Sequence, residues 1–179
     1  METASVQKIA KVLHILVLLA FICNLIALFL VPGLVFMSPQ ARAHLLFRTS
    51  PRYFLLAWTA VWCRAYPAVL TLFLLFSGVC TAVILWQARR VLKTILRGEP
   101  FSMENAVSLR RAAVCGFLIS AAALVRVVFS LFYYRSLQPL ATYNALFVPL
   151  FAMAGLLCLV MSALFRQAAE LKAENDLTI

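Results

Sequence analysis

The sequence predicts an all-α integral membrane protein: a four-helix bundle with a long outer loop carrying short interfacial helices. Three observations carry that prediction. Of the 179 residues, 65% are hydrophobic and 12% charged, a balance that suits lipid as solvent. The apolar residues gather into four runs, each long enough to cross a bilayer. The basic residues sit at the ends of those runs, where membrane topology is set. Residues 1–179 therefore read as one domain, with spans at about 12–36, 65–86, 112–134 and 145–165.

The first run follows Lys8 and Lys11. It is too long for a signal-peptide core and no small-x-small cleavage site follows, so it is expected to stay as a membrane helix. His14 lies near its start and Asn24 near its middle, and Pro32-Gly33 is placed to kink or end it. Asn24 is expected to hydrogen-bond another helix, worth about 1 kcal/mol, or to line a polar cavity.

Residues 37–64 form the outer loop. Arg42, His44, Arg48, Arg52 and Arg64 are interleaved with Tyr53, Trp58 and Trp62. This mixture suits the headgroup layer. One or two interfacial helices are expected, broken at Ser50-Pro51. Arg48, Arg52 and Arg64 are candidate contacts to an anionic lipid or ligand, or simple interfacial anchors.

After the second span the helical pattern continues from Trp86 to Arg97. Leu92, Ile95 and Leu96 fall on one face, and Arg89, Arg90, Lys93 and Arg97 on the other. Arg97-Gly98-Glu99-Pro100-Phe101-Ser102-Met103-Glu104-Asn105 then reads as a helix stop followed at once by a start. Gly98 suits the left-handed position past a helix end, Pro100 cannot continue the helix, and Ser102 can cap the next one with Glu104 in its first turn. Asn105 stands where a capping box wants Glu or Gln.

The third span carries Ala113, Gly116, Ser120 and Ala123 at helical spacing, and the fourth carries Ala152, Gly155 and Ser162. Such stripes let helices approach closely, within one chain or between copies. Arg126 is the full charge deepest in any span, eight residues or about 12 Å from Tyr134. It can snorkel outward, or turn in toward a carbonyl, an amide or a bound anion. Beyond Arg166 the helix is expected to run on to Ala173, with little helical support for residues 174–179.

Four spans place both termini on one side. That side, with the central loop 87–111 and the tail 166–179, holds ten Lys/Arg against five in the two outer loops. The expectation is N-in and C-in, in a bacterial cytoplasmic membrane. The net charge of +10 is accounted for by this pattern, so direct nucleic-acid binding is not expected.

No glycine-rich phosphate loop, HExxH or GxSxG occurs. The two histidines are isolated, the five cysteines (Cys23, Cys63, Cys80, Cys115, Cys158) are scattered with no CxxC, and no carboxylate lies within a span. A non-enzyme without metal or cofactor is expected, and neither a thiol oxidoreductase nor a proton-driven exporter.

The segment Arg97–Ser102 with Glu104-Asn105 and Leu109-Arg110, and the terminal Glu174-Asn175-Asp176-Leu177-Thr178-Ile179, together with four spans in this length, resemble the YoaS-like family of small bacterial membrane proteins, a domain of unknown function. The resemblance implies no activity or catalytic residue. It implies a context, since such proteins are commonly encoded beside a small Cro/CI-type helix-turn-helix regulator. The first functional expectation is therefore a membrane-bound partner of a cytosolic transcription regulator, using Gly98, Pro100, Phe101, Ser102, Glu104, Asn105, Glu174, Asn175, Asp176 and Leu177. The alternative is a small-molecule or lipid-binding sensor or passive carrier, using Asn24, Arg126 and the basic outer loop. A polar cavity between the spans favours the alternative; a dry, close-packed bundle opposes it.

Overall fold

The computed structural model describes residues 2–36, 51–99, 101–141 and 143–176, so Arg48, Pro100 and Leu177 lie outside the described residues. The architecture is an all-α membrane bundle, with no strand among the described residues. We label the helices α1 (Glu2–Phe36), α2 (Pro51–Ala60), α3 (Ala65–Leu96), α4 (Met103–Tyr134) and α5 (Phe147–Asp176). Four of them, all but α2, are long and apolar enough to cross a membrane, and the chain is a multi-pass membrane protein.

Several ends follow from local chemistry. Pro51 opens α2, where its missing N–H costs nothing. Pro32 lies inside α1 and does not end it, against one of the two expectations for Pro32-Gly33. At the close of α3, Gly98 takes φ +83°. Its N–H donates to Ile95 O at 3.1 Å and the Glu99 N–H to Thr94 O at 3.1 Å, the paired bonds of a Schellman cap. Ser102 then caps α4, its Oγ accepting from Asn105 N at 3.4 Å. Gly98→Ala is expected to cost about 1 kcal/mol, because no Cβ is comfortable at that φ although the surrounding space is open. Ser102→Ala should cost a similar ~1 kcal/mol. Reversible unfolding in detergent checks both.

Helix α5 departs from expectation at its end, running to Asp176 rather than fading near residue 173. Good helix formers carry it, and Arg166 Nε donates to Glu170 Oε1 at 2.8 Å across one turn.

Neighbouring helices are antiparallel. Asn24 meets Gly78, and Phe21 meets Trp86 with ring centroids 6.0 Å apart, which seats α1 on α3. Arg90 pairs with Glu104 at 2.6 Å at one end of α3 and α4, and Tyr66 meets Tyr133 and Tyr134 at the other. Between α4 and α5 the two small-residue stripes face each other. A Cβ on Gly116 would lie 3.2 Å from Gly155 Cα, and one on Gly155 3.2 Å from Ala113 O. This closeness lets Ser120 Oγ donate to Val148 O at 2.8 Å and Ser162 Oγ to Ala106 O at 2.7 Å. The stripes are thus occupied within one chain.

The spans form a row in chain order. Substantial packing joins α1 to α3, α3 to α4, and α4 to α5, with none comparable between α1 and α5. Helix α4 is the most enclosed, whereas α1 and α5 present most of their apolar surface outward. At the end bearing the α3–α4 turn, the four spanning helices run roughly 15 Å past the apolar runs read from the sequence.

Candidate functional site

The opening between α1 and α5 is a cavity of about 660 Å³. Helix α1 contributes Cys23, Asn24, Leu28 and Val31; α3 contributes Phe73, Ser77, Gly78 and Thr81; α4 supplies Ile119 and Arg126; and Phe147 and Phe151 close it from α5. Two candidates more than a hundred residues apart, Asn24 and Arg126, therefore share one half-open chamber. Most of its lining is apolar, with a few placed polar groups, as in small-molecule sites of this size.

Arg126 does not snorkel. Its side chain turns inward, 9% exposed, with the guanidinium carbon 4.5 Å from the centre of the Phe73 ring. Neighbours on the enclosed face of α4 hold it there. Ala123 and Val127 are buried beside it, and Ser130 Oγ donates to Arg126 O at 2.9 Å. A cation over an aromatic face in a desolvated setting gains about 2 kcal/mol, comparable with the roughly 2.5–3.5 kcal/mol it costs to place Arg at the bilayer centre.

Asn24 makes the interhelical hydrogen bond expected of it, and the cavity it lines is largely apolar rather than polar. The Asn24 Nδ2 donates to Gly78 O at 3.4 Å. The contact needs Gly78, where a Cβ would meet Leu28 at 3.1 Å. Ser77 and Thr81 turn their hydroxyls to carbonyls of their own helix, Phe73 O and Ser77 O, each at 2.8 Å. Among the described residues, the chamber offers one full cation amid modest dipoles and apolar walls, and its lining carries neither carboxylate nor histidine to act as an ordinary general base. This is chemistry for holding an anion attached to an apolar body.

The other candidates lie elsewhere. Arg52 and Arg64 are exposed, and neither lines the chamber. Asn105 cannot serve as docking surface: it is 1% exposed, and its Oδ1 accepts from the Thr94 hydroxyl at 2.7 Å, tying α4 to α3. Gly98 and Glu104 are exposed, and Glu104 is engaged by Arg90. Phe101 is exposed yet meets Phe165 of α5 with ring centroids 5.7 Å apart. Glu174 and Asn175 follow nine and ten residues later on the same helix, about 14 Å further along its axis. A second cavity, of about 410 Å³, lies between α4 and α5 near this end, with Met103, Val107, Arg110, Leu159, Ser162 and Arg166 in its lining.

The cysteines are scattered in the chain with no CxxC, yet Cys80 of α3 and Cys115 of α4 are neighbours across the helix pair. Both are free thiols. With the other three cysteines changed to Ser, mild oxidation of the membrane-embedded protein is expected to link Cys80 and Cys115 within one chain. Mass spectrometry of the peptides checks this, and a failure to link would displace the α3–α4 register.

Phe73, Phe147 and Phe151 were not singled out by the sequence, because an aromatic in an apolar run looks the same whether it faces lipid or a cavity. No curated protein and no solved structure matches this chain. The family described as a protein of unknown function, DUF2975, matches residues 49–179, which take in α2 to α5 and leave α1 outside. Unknown function agrees with the coarser part of what the resemblance implied. With that match spanning well over half its length, the chain belongs to the DUF2975 family.

Proposed function

We propose that this protein is a membrane sensor or passive carrier that binds an amphipathic anion in the chamber between α1 and α5. The observation that carries the reading is the inward-turned Arg126, the one cation among the described residues lining a largely apolar, 660 Å³ chamber within the spans. An acidic headgroup would meet the guanidinium, and an apolar body would lie against Leu28, Leu70, Phe73 and Phe151. The role is binding and not catalysis. The test compares a long-chain fatty acid with the matching fatty alcohol on full-length protein in zwitterionic nanodiscs. A preference of at least tenfold for the acid is expected; equal binding of the two, or of neither, removes the reading.

A second reading keeps the bacterial inner membrane, the YoaS-like name and a Cro/CI-type regulator as cytosolic partner. What favours it is the set of helices projecting past the membrane segments, with Phe101, Met103 and Val107 exposed beside the 410 Å³ cavity. It requires that end to face the cytosol. Reporter fusions after Ile179 and within residues 97–102 should then report cytosol, and fusions within 37–64 the outside. An outward C-terminus would end this second reading and leave the chamber untouched.

A further inference from the structure

A separate cavity of about 130 Å³ lies between α1 and α3, lined by His14, Trp86, Arg89, Arg90 and Lys93. Among the described residues its lining carries no carboxylate. Glu104 of α4 reaches Arg90 and leaves Arg89 and Lys93 as the cations without an assigned counter-ion among the described residues. Two nitrogens of the lining residues, His14 Nδ1 and Arg89 Nε, are buried and find no hydrogen-bond partner among the described residues. Buried polar atoms are nearly always satisfied, and each orphan is costly. The Arg89 Nε–H beside this small basic cavity lacks an acceptor, and His14 Nδ1 would share it in its Nδ1–H form. The Arg89 guanidinium carbon also lies 5.7 Å from the centre of the Trp86 ring. Arg donors in a fixed fork are suited to phosphate oxygens.

Position narrows the ligand. Trp86 closes the apolar run of α3 and His14 stands just inside that of α1, so the cavity sits at headgroup level, where Trp and basic residues gather. Lys11, one turn before His14, adds charge on that flank of α1. We propose that His14, Arg89 and Lys93 form a phosphate-binding site at the membrane surface, filled by the phosphate of an anionic lipid headgroup or by a free phosphate anion. It lies at the turn end, apart from the chamber of Arg126, and does not depend on the function assigned to that chamber.

The test is native mass spectrometry of the full-length protein with phosphatidylglycerol or phosphatidylcholine, for wild type, the double variant Arg89→Gln/Lys93→Gln, and Lys172→Gln as a control on the exposed end of α5. Wild type and Lys172→Gln should retain phosphatidylglycerol over phosphatidylcholine, and the double variant should lose about thirtyfold in phosphatidylglycerol affinity. Arg89→Lys, which keeps the charge and loses the fork, should fall between them. Circular dichroism and phosphatidylcholine retention report whether each variant is folded. Displacement of phosphatidylglycerol by millimolar inorganic phosphate would support the free anion as sufficient; resistance would support a lipid held by headgroup and tail together. Equal retention of both lipids by wild type, or undiminished phosphatidylglycerol binding in the folded double variant, overturns the proposal.

Discussion

Arg126→Leu is expected to abolish discrimination between a fatty acid and its alcohol while leaving the fold intact. A hydrogen bond to a charged group contributes about 1.5–3 kcal/mol, so acid binding should weaken by roughly 10- to 150-fold and alcohol binding should hold or improve. The midpoint of thermal unfolding should stay level or rise. The variant gives up the contact over Phe73, but it also removes a charge that is costly in lipid. Arg126→Lys should recover part of the acid preference, since it restores charge without the fork. A large loss of stability with acid binding unchanged would make Arg126 a packing residue and leave the chamber without its anion anchor. Asn24→Leu separates the chamber's polarity from its charge: it should loosen α1 from α3 by about 1 kcal/mol and reduce acid binding only a few fold.

Gly116→Leu is expected to be the most damaging single change in the bundle. Even a methyl group there would meet Gly155 Cα at 3.2 Å and Gly155 N at 3.4 Å, and backbone cannot step aside as a side-chain tip can. A leucine forces α4 and α5 apart and breaks the hydrogen bonds from Ser120 and Ser162 between them. The combined cost should be about 3 kcal/mol, with Gly116→Ala near 1 kcal/mol. Equilibrium unfolding in mixed micelles measures both, and wild-type stability in Gly116→Leu would refute the close crossing. The damage should also reach the chamber, because Phe147 and Phe151 of α5 form one of its walls.

Elements controlled by local rules were legible before any coordinates. Four apolar runs announce four helices because lipid tolerates little else, and Gly98 and Ser102 announce a turn because backbone geometry demands such residues there. The two small-residue stripes were legible as packing faces, though not as partners of each other. What stayed hidden depends on which faces meet. Cys80 and Cys115 are separated by a turn and parts of two helices, so no spacing rule joins them. Asn105 was read by its nearest neighbours as a weak cap, while its side chain answers to Thr94 on another helix. Arg126 was undecided because an arginine's long stem permits both outward and inward solutions. Phe73, which favours the inward one, lies on a different span.

The row-like order of the spans bears on how the protein is made. Each spanning helix after the first packs substantially on the spanning helix just before it, so the sequence of contacts repeats the sequence of synthesis. Only the small-residue face of α4 waits for the last helix to arrive, and no long-range closure between first and last is required. Local partnerships of this kind assemble quickly and leave few exposed intermediates. A nascent chain halted after α4 would already hold its central pairings, and α5 would dock last onto a surface prepared for it.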